Sequence, residues 1–141
     1  MSIPTQLSLN GFIATAPDLH FSKAGAPRFH ARVGCEHFRK KADGTFTKLA
    51  PTFHDLVVFN DTALMAYERF RRGDSIVASG YVHEYEVEAD GTTVVRDEFV
   101  ARRIGHDTQR TRYDVHRRGA AAPASPSPAQ APAAAPPAIG R

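Results

Sequence analysis

The sequence is poor in cysteine and in long apolar runs. Its single cysteine, Cys35, cannot form an intramolecular disulfide, so no disulfide framework supports the fold. No apolar run approaches the roughly 18 residues that a membrane-spanning helix requires. The N-terminal stretch MSIPTQLSLNGF also lacks the basic segment and following apolar stretch of a secretory signal. We therefore expect a cytoplasmic protein that depends on one hydrophobic core.

The sequence also lacks the residue patterns of catalytic and metal sites. Its seven histidines show neither an HExxH motif nor a cysteine pair at zinc-ligand spacing. No glycine-rich phosphate loop precedes a helix. We therefore assign no catalytic residue, no metal site and no cofactor, and we expect a binding protein rather than an enzyme.

The length and the composition of the C-terminal segment indicate one folded domain. At 141 residues the chain is long enough for one domain with a core and too short for two. The composition changes at Gly119, after which ten alanines and six prolines occur in 23 residues. Such a segment cannot bury a core, and its prolines interrupt any helix. We assign residues 1–112 to the domain and residues 113–141 to a disordered Ala/Pro-rich tail.

The positive charge is concentrated in two segments of a chain whose formal net charge is +3. Four basic residues from Arg39 to Lys48 face only Asp43, and six arginines from Arg102 to Arg118 face two aspartates. Such segments either bind an anionic partner or remain solvated loops, and the charge pattern alone leaves both readings open.

Alternating apolar and polar residues predict five strands. The first strand ends at a turn formed by Ala16-Pro17-Asp18. A loose hairpin through Asp43-Gly44 joins the second and third strands, and Asp90-Gly91 predicts a tight hairpin between the fourth and fifth. The approximate limits of the five strands are 7–13, 28–35, 52–60, 75–87 and 92–104.

One short helix is predicted between the third and fourth strands. Asp61 is the expected N-cap and Gly73 the expected stop. The apolar residues at helical spacing are Ala63, Leu64, Tyr67 and Phe70. Five strands with a helix in this position are the order of the all-β OB-fold, a Greek-key barrel whose surface around strands 2 and 3 binds oligonucleotides or oligosaccharides.

The third strand, within PTFHDLVVFND, is apolar on both faces. Leu56 and Val58 point to one side, which provides a core face, while Phe53 and Phe59 point to the other. Aromatic rings on a rigid sheet stack with unpaired bases at about 1–3 kcal/mol per base. Two phenylalanines could equally be ordinary core residues. The alternation does not distinguish these two interpretations.

The sequence resembles the bacterial single-stranded DNA-binding proteins from about Ser8 to Arg110. The resemblance lies in PTFHDLVVFN, in the helix TALMAYERFRRGD, in the strand SIVASGYV and in the opening stretch NGFIATAPDL. It implies a homotetramer associated with the nucleoid. It also implies sequence-independent binding and protection of single-stranded DNA in replication, recombination or repair.

Carried over by position, the family's stacking aromatics fall on Phe38, Phe53 and Phe59. Two of these positions are commonly tryptophan, which this chain lacks entirely. A further family aromatic falls on Val87, and Tyr85 on the same face is the expected substitute. Asp55 occupies a position that is often basic and would repel phosphate. The basic residues expected to neutralise phosphates are Arg28, Arg32, Arg39, Lys40, Lys41 and Lys48.

The C-terminus departs from the family pattern. The family's tail usually ends in an acidic cluster and an apolar pair that recruit replication and repair enzymes, whereas this chain ends in PPAIGR. No carboxylate side chain follows Asp114, so we do not expect such recruitment. The alternative function left open is an OB-fold RNA-binding or primosome-type accessory protein that acts mainly through protein contacts.

Overall fold

The computed structural model describes residues 2–118 and contains a strand barrel with one helix. The strands are β1 (Leu7–Ile13), β2 (Asp18–Phe21), β3 (Pro27–Lys40), β4 (Phe46–Phe59), β5 (Ser75–Ala89) and β6 (Thr92–His106), and the helix is α1 (Asn60–Arg69). The five predicted strands are present as β1, β3, β4, β5 and β6, with the helix in its predicted place. The predicted all-β fold is confirmed.

Hydrogen-bonded pairing closes the five main strands into a ring. β1 is antiparallel to β5 and, at its end, to β3; β3 is antiparallel to β4, and β5 to β6. The parallel pairing of β4 with β6 completes the circuit. No main strand is therefore left at an open edge of the barrel.

A short strand that the sequence did not predict, β2, adds to the outside of this ring. After the predicted turn at Pro17 the chain runs back along β3 for four residues instead of continuing as a loop. Leu19, which pairs with Phe29, is partly buried against the core and accounts for this return. The other three residues of β2 are exposed.

The core fills the inside of the barrel with one face of each main strand. Leu56 and Val58 are fully buried there, as predicted from the alternation of β4. The other members from the strands are Ile13, Phe29, Ala31, Val33, Ile76, Ala78, Phe99 and Ala101. Their burial is the main favourable contribution to folding, since each large side chain contributes about 1.5–3 kcal/mol.

The helix differs from its prediction in its start and in its buried face. It begins at Asn60, which has a left-handed φ of 63°, and its N-cap is Phe59 with no side-chain capping bond, so the N-cap assigned to Asp61 is wrong. Ala63, Ala66 and Phe70 are buried, whereas Leu64 and Tyr67 are exposed. Small alanines let the helix lie close to the sheet, which the apolar spacing alone did not show.

Glycine turns lie where the sequence predicts them. Gly73 has a φ of 96° and donates to the carbonyl of Ile13 at 2.7 Å, but it lies after the helix rather than at its end, which is capped by Phe70. Asp90 and Gly91 both have positive φ, as a two-residue hairpin requires.

Outside the barrel the structure describes only a few residues of the predicted tail. Residues 112–118 belong to a second unit of the chain and contain neither helix nor strand. The rest of the Ala/Pro-rich segment, from residue 119 onward, lies outside the described residues.

Candidate nucleic-acid interface

Strand register brings side chains from four strands onto one outer face of the barrel. Paired residues on neighbouring strands point to the same side of a sheet. Across β3 and β4 the outward pairs are Gly34 with Phe53, Arg32 with Asp55, His30 with Val57, and Arg28 with Phe59. Val57 in turn pairs with Val100 of β6, and Val100 with Tyr81 of β5. We call this surface of β3, β4, β6 and β5 the outer face.

The two rings of β4 lie on the outer face and are accessible to solvent. Phe53 is 46% exposed and Phe59 is 41% exposed, whereas Leu56 and Val58 between them have no exposed area. The interpretation of these phenylalanines as ordinary core residues is therefore wrong. Their side chains are available to contact a ligand.

Phe53 does not stand alone, because Phe12 of β1 packs against it edge to face. The ring centroids are 6.4 Å apart and the planes meet at 89°. Gly34 makes room for this ring, since a Cβ added to Gly34 would lie 2.3 Å from Cζ of Phe12. Sequence reasoning missed Phe12, although its alternation opposite the buried Ile13 places it on the outer side.

A cation also lies beside Phe53. Arg96 of β6 lines a cleft of about 340 Å³ together with Phe53 and Arg32. Arg96 pairs across the hairpin with Tyr85, the predicted substitute aromatic. Tyr85 is half-buried and stacks on His83, with centroids 5.8 Å apart, so its own ring is already covered in part.

Two carboxylates occupy the middle of the outer face and hold several cations. Asp55 accepts a hydrogen bond from His30 at 2.9 Å and pairs with Arg32 at 3.3 Å. Partial burial works to raise the pKa of Asp55, but the hydrogen bonds from His30 and Arg32 and the guanidinium charge outweigh it and lower the pKa. The carboxylate is therefore ionised at neutral pH and competes with phosphate for Arg32.

The second carboxylate is Glu98 of β6. It pairs with Arg28 at 3.4 Å and with His83 at 3.1 Å, although its own side chain is only 11% exposed. Arg28 belongs to β3 and Glu98 to β6, so their ion pair spans β4. Two of the six predicted phosphate-binding residues, Arg28 and Arg32, thus already have carboxylate partners.

The hairpin of β3 and β4 carries the other predicted cations. Phe38 pairs with Lys48 and Lys40 with Phe46, so both rings and both lysines lie on one face of this basic arm, residues 38–48. Both phenylalanines are exposed. Sequence reasoning missed Phe46, whose only signal is its spacing from Lys48. The strands continue almost to the turn, so these residues lie on strands rather than in the loop that was predicted.

The lysines and arginine of the basic arm differ in their partners. Lys48 binds Glu36 at 2.7 Å, and its hydrogen bond and charge lower the pKa of Glu36. Within residues 2–118, Arg39, Lys40 and Lys41 are exposed and make no ion pair. These three are the predicted cations most accessible to an anion.

A separate groove of about 450 Å³ opens on the inner side of the sheet. Leu9, Cys35, His54 and Val82 line it, and His54 lies on the same side of β4 as the buried Leu56 and Val58. Burial raises the pKa of the Cys35 thiol. His37 and His54 each approach the hydroxyl of Thr52, at 2.7 Å and 2.8 Å. None of the rings Phe53, Phe59 and Tyr85 lines this groove.

Across residues 2–118 no three histidine, cysteine, aspartate or glutamate side chains lie close enough to hold a metal ion. No helix in the same range is long and apolar enough to cross a membrane.

Comparison with known proteins identifies the fold. The sequence model of the Single-strand binding protein family matches residues 4–107, which includes every strand of the barrel. The chain belongs to this family. Single-stranded DNA binding is accordingly the function that the family supports for this chain. A search of curated proteins finds no match.

Solved structures with the same fold include two single-stranded DNA-binding proteins. One is the small single-stranded DNA-binding protein from Streptomyces coelicolor, with a TM-score of 0.62 and 20% identity over 75% of this chain and 98% of that one. The other is a deletion mutant of the single-stranded DNA binding protein from Thermus aquaticus, with a TM-score of 0.60 and 18% identity over 73% of this chain. The matched part is about half, 52%, of the Thermus chain.

Proposed function

We propose that the protein binds single-stranded DNA without sequence preference, by stacking bases on the rings of the outer face and of the basic arm. The observation that carries this proposal is the exposure of Phe53 and Phe59 on a rigid strand of a barrel from this family. Every base presents a flat π surface, so stacking tolerates any sequence. Bases in a duplex are already stacked and paired, and they cannot reach these rings.

The cations of the basic arm supply the electrostatic part of the binding. Arg39, Lys40 and Lys41 make no ion pair within the described range, so phosphates can approach them directly. On the outer face Asp55 and Glu98 already hold Arg32 and Arg28. We infer that the outer face binds mainly through bases and the basic arm mainly through phosphates.

In the cell we assign this activity to protection of single strands during replication, recombination or repair. The protein acts without catalysing a reaction and needs no metal or cofactor for stacking. It works in the cytoplasm at the nucleoid, as a homotetramer. Exposed apolar residues around the inner groove, among them Leu7 and Val82, offer a surface for contact between subunits.

Titration with oligo-dT tests the stacking mechanism. Replacing Phe53 or Phe59 by Ala removes one stacking platform worth about 1–3 kcal/mol, so the Kd for oligo-dT should rise by a factor between about 5 and about 140. Both rings are half exposed, so the melting temperature should stay nearly unchanged. Phe21→Ala is the matched control, because Phe21 is equally apolar and 60% exposed but lies on β2, outside the outer face.

Three results would contradict the proposal. Tighter binding of oligo-U than of oligo-dT would favour the RNA-binding alternative, and absence of oligonucleotide binding would favour a protein adaptor. A large loss of stability in Phe53→Ala would mean that the ring serves mainly the core.

A further inference from the structure

A second aromatic cleft lies at the far end of the outer face. Val58 of β4 pairs with Ala101 of β6, so Phe59 and Arg102 are the next residues on these neighbouring strands. Both point away from the core, since Val58 and Ala101 belong to it. With Tyr81 of β5 they line a cleft of about 360 Å³, a size within the range of small-ligand sites.

Tyr81 and Arg102 form a flat, positively charged wall of this cleft. The guanidinium carbon of Arg102 lies 5.1 Å from the centroid of the Tyr81 ring, in cation–π contact. Tyr81 is 41% exposed, as is Phe59. The cleft therefore has two accessible rings and a cation at one end of the same surface that carries Phe53 at the other.

Arg102 differs from the other arginines of the outer face in its partners. Arg28 and Arg32 are held by Glu98 and Asp55, whereas Arg102 makes no ion pair among the residues that the structure describes. Its charge is neutralised by no carboxylate of the barrel, and its position on an aromatic ring leaves the N–H groups at its edge available. A guanidinium of this kind suits a phosphate, which it can bind through two parallel hydrogen bonds.

We propose that this cleft binds one nucleotide of the single strand, with the base against Phe59 and Tyr81 and an adjoining phosphate on Arg102. The inference rests on the proposed function and extends it to Tyr81 and Arg102, which neither the resemblance nor the sequence pattern assigned. Phe53 and Phe59 are six residues apart on β4, about 20 Å in an extended strand. The bound single-stranded DNA therefore runs along β4 from Phe53 to Phe59 and ends at Tyr81.

Asp61 gives this cleft a direction. Asp61 lies in the first turn of α1 and also lines the cleft. Its negative charge would repel a phosphate. The phosphate must therefore lie on the Arg102 side, with the base between it and the helix. Asp61→Asn should tighten binding, because it removes the repulsion without removing a ring.

A tryptophan reporter tests the position of the base. The chain has no tryptophan, so Tyr81→Trp introduces a single indole whose emission is quenched when a base stacks on it. Oligo-dT should quench Tyr81→Trp strongly and leave Tyr67→Trp unchanged, since Tyr67 is 45% exposed on α1 but does not line the cleft. Equal quenching in both variants, or none in Tyr81→Trp, would overturn the proposal.

The salt dependence of binding tests the phosphate contact. For single strands the slope of log K against log salt changes by about 0.7 for each phosphate neutralised. Arg102→Ala should reduce the slope by about this amount. Arg103→Ala should not, because Arg103 is the next residue of β6 and removes the same charge but does not line the cleft. Equal changes in both variants would indicate only a general charge effect and would contradict the site.

The same measurements separate this inference from the proposed function. The wild type could bind oligo-dT, with weaker binding by Phe53→Ala and unchanged binding by Tyr81→Ala and Arg102→Ala. In that case the assignment of the cleft as a nucleotide site is wrong and the proposed function stands. If the wild type binds no oligo-dT, both are overturned.

Discussion

At the scale of single residues, neighbours rather than residue type set what a side chain on β4 can do. Phe53, Val57 and Phe59 share the outer face, yet Val57 is fully buried while both rings are exposed. The ion pair of Arg28 with Glu98 spans β4 in this region. The rings at the two ends remain open, so base stacking is expected at the ends of the face and not at its centre.

Asp55→Asn should strengthen oligo-dT binding and slightly weaken the fold. The substitution releases Arg32 for phosphate and removes a negative charge beside Phe53, so the Kd should fall. It also removes partly exposed ion pairs worth about 0.2–1 kcal/mol of stability. Titration and urea unfolding of the two proteins at pH 7 check both effects; weaker DNA binding by the variant would contradict this account.

The stability difference between the wild type and Asp55→Asn should depend on pH. The pKa of Asp55 is lower in the folded state than in the unfolded state. The contribution of the Asp55 carboxylate to the stability of the fold is therefore fully present above the unfolded-state pKa of about 3.9. It fades as the pH falls through the folded-state pKa, because the protonated carboxyl no longer attracts Arg32. The difference in the free energy of unfolding between the wild type and Asp55→Asn should therefore shrink as the pH is lowered from about 5. A difference that stays constant would rule out the ion pairs of Asp55 as its source.

At the scale of elements, close approach of strands governs where glycine is required. The pairing of β5 with β6 shifts register between Ser79 and Gly80. A Cβ added to Gly80 would lie 1.9 Å from the carbonyl oxygen of Val100. That contact is with backbone, which cannot swing aside as a side chain can.

Gly80→Ala should therefore lower the melting temperature. Forcing the strands apart costs about 1–3 kcal/mol, as overpacking of a close-packed site does. Gly105→Ala on β6 is the control, since a Cβ there would meet no atom within 4 Å and its φ is not in the left-handed region. Thermal unfolding of both variants tests this; equal shifts would mean that the register irregularity is not the cause.

At the scale of the whole molecule, two surfaces differ in the side chains that they carry. The outer face carries the rings, and the inner groove carries apolar side chains such as Leu9 and Val82 together with His54. An apolar groove of this size on a barrel is covered at little cost by another copy of the chain. The assignment of one surface to DNA and the other to subunit contact is our proposal for how the two are kept separate.

Light scattering of the purified protein should give about four times the chain mass of 15.4 kDa. Val82→Glu places a charge at the groove and should lower that mass, because an unpaired carboxylate is costly to bury between subunits. Leu64→Glu is the control, since Leu64 is also half exposed but lies on α1. An unchanged mass in Val82→Glu would exclude the groove as the interface.

Local features of the sequence were enough for the five main strands, for the place of the helix and for part of the candidate site, but not for β2. The alternation of apolar residues gave the five main strands and the core face of Leu56 and Val58, and Asp90-Gly91 gave the hairpin turn, since side-chain period and turn chemistry act over a few residues. The same alternation put Phe53 and Phe59 on one face. It could not say which face is buried, because that depends on which side the barrel encloses.

The remaining parts of the site depend on contacts between residues far apart in the chain. Phe12 contacts Phe53, Arg28 pairs with Glu98, and Tyr81 shares a cleft with Phe59, because closure of the barrel and strand register place β1, β3, β5 and β6 around β4. A shift of one residue in any pairing would turn these side chains to the other face. The sequence therefore specified strands, turns and rings, while the closed barrel set which rings are open, which cations are free and where a base can lie.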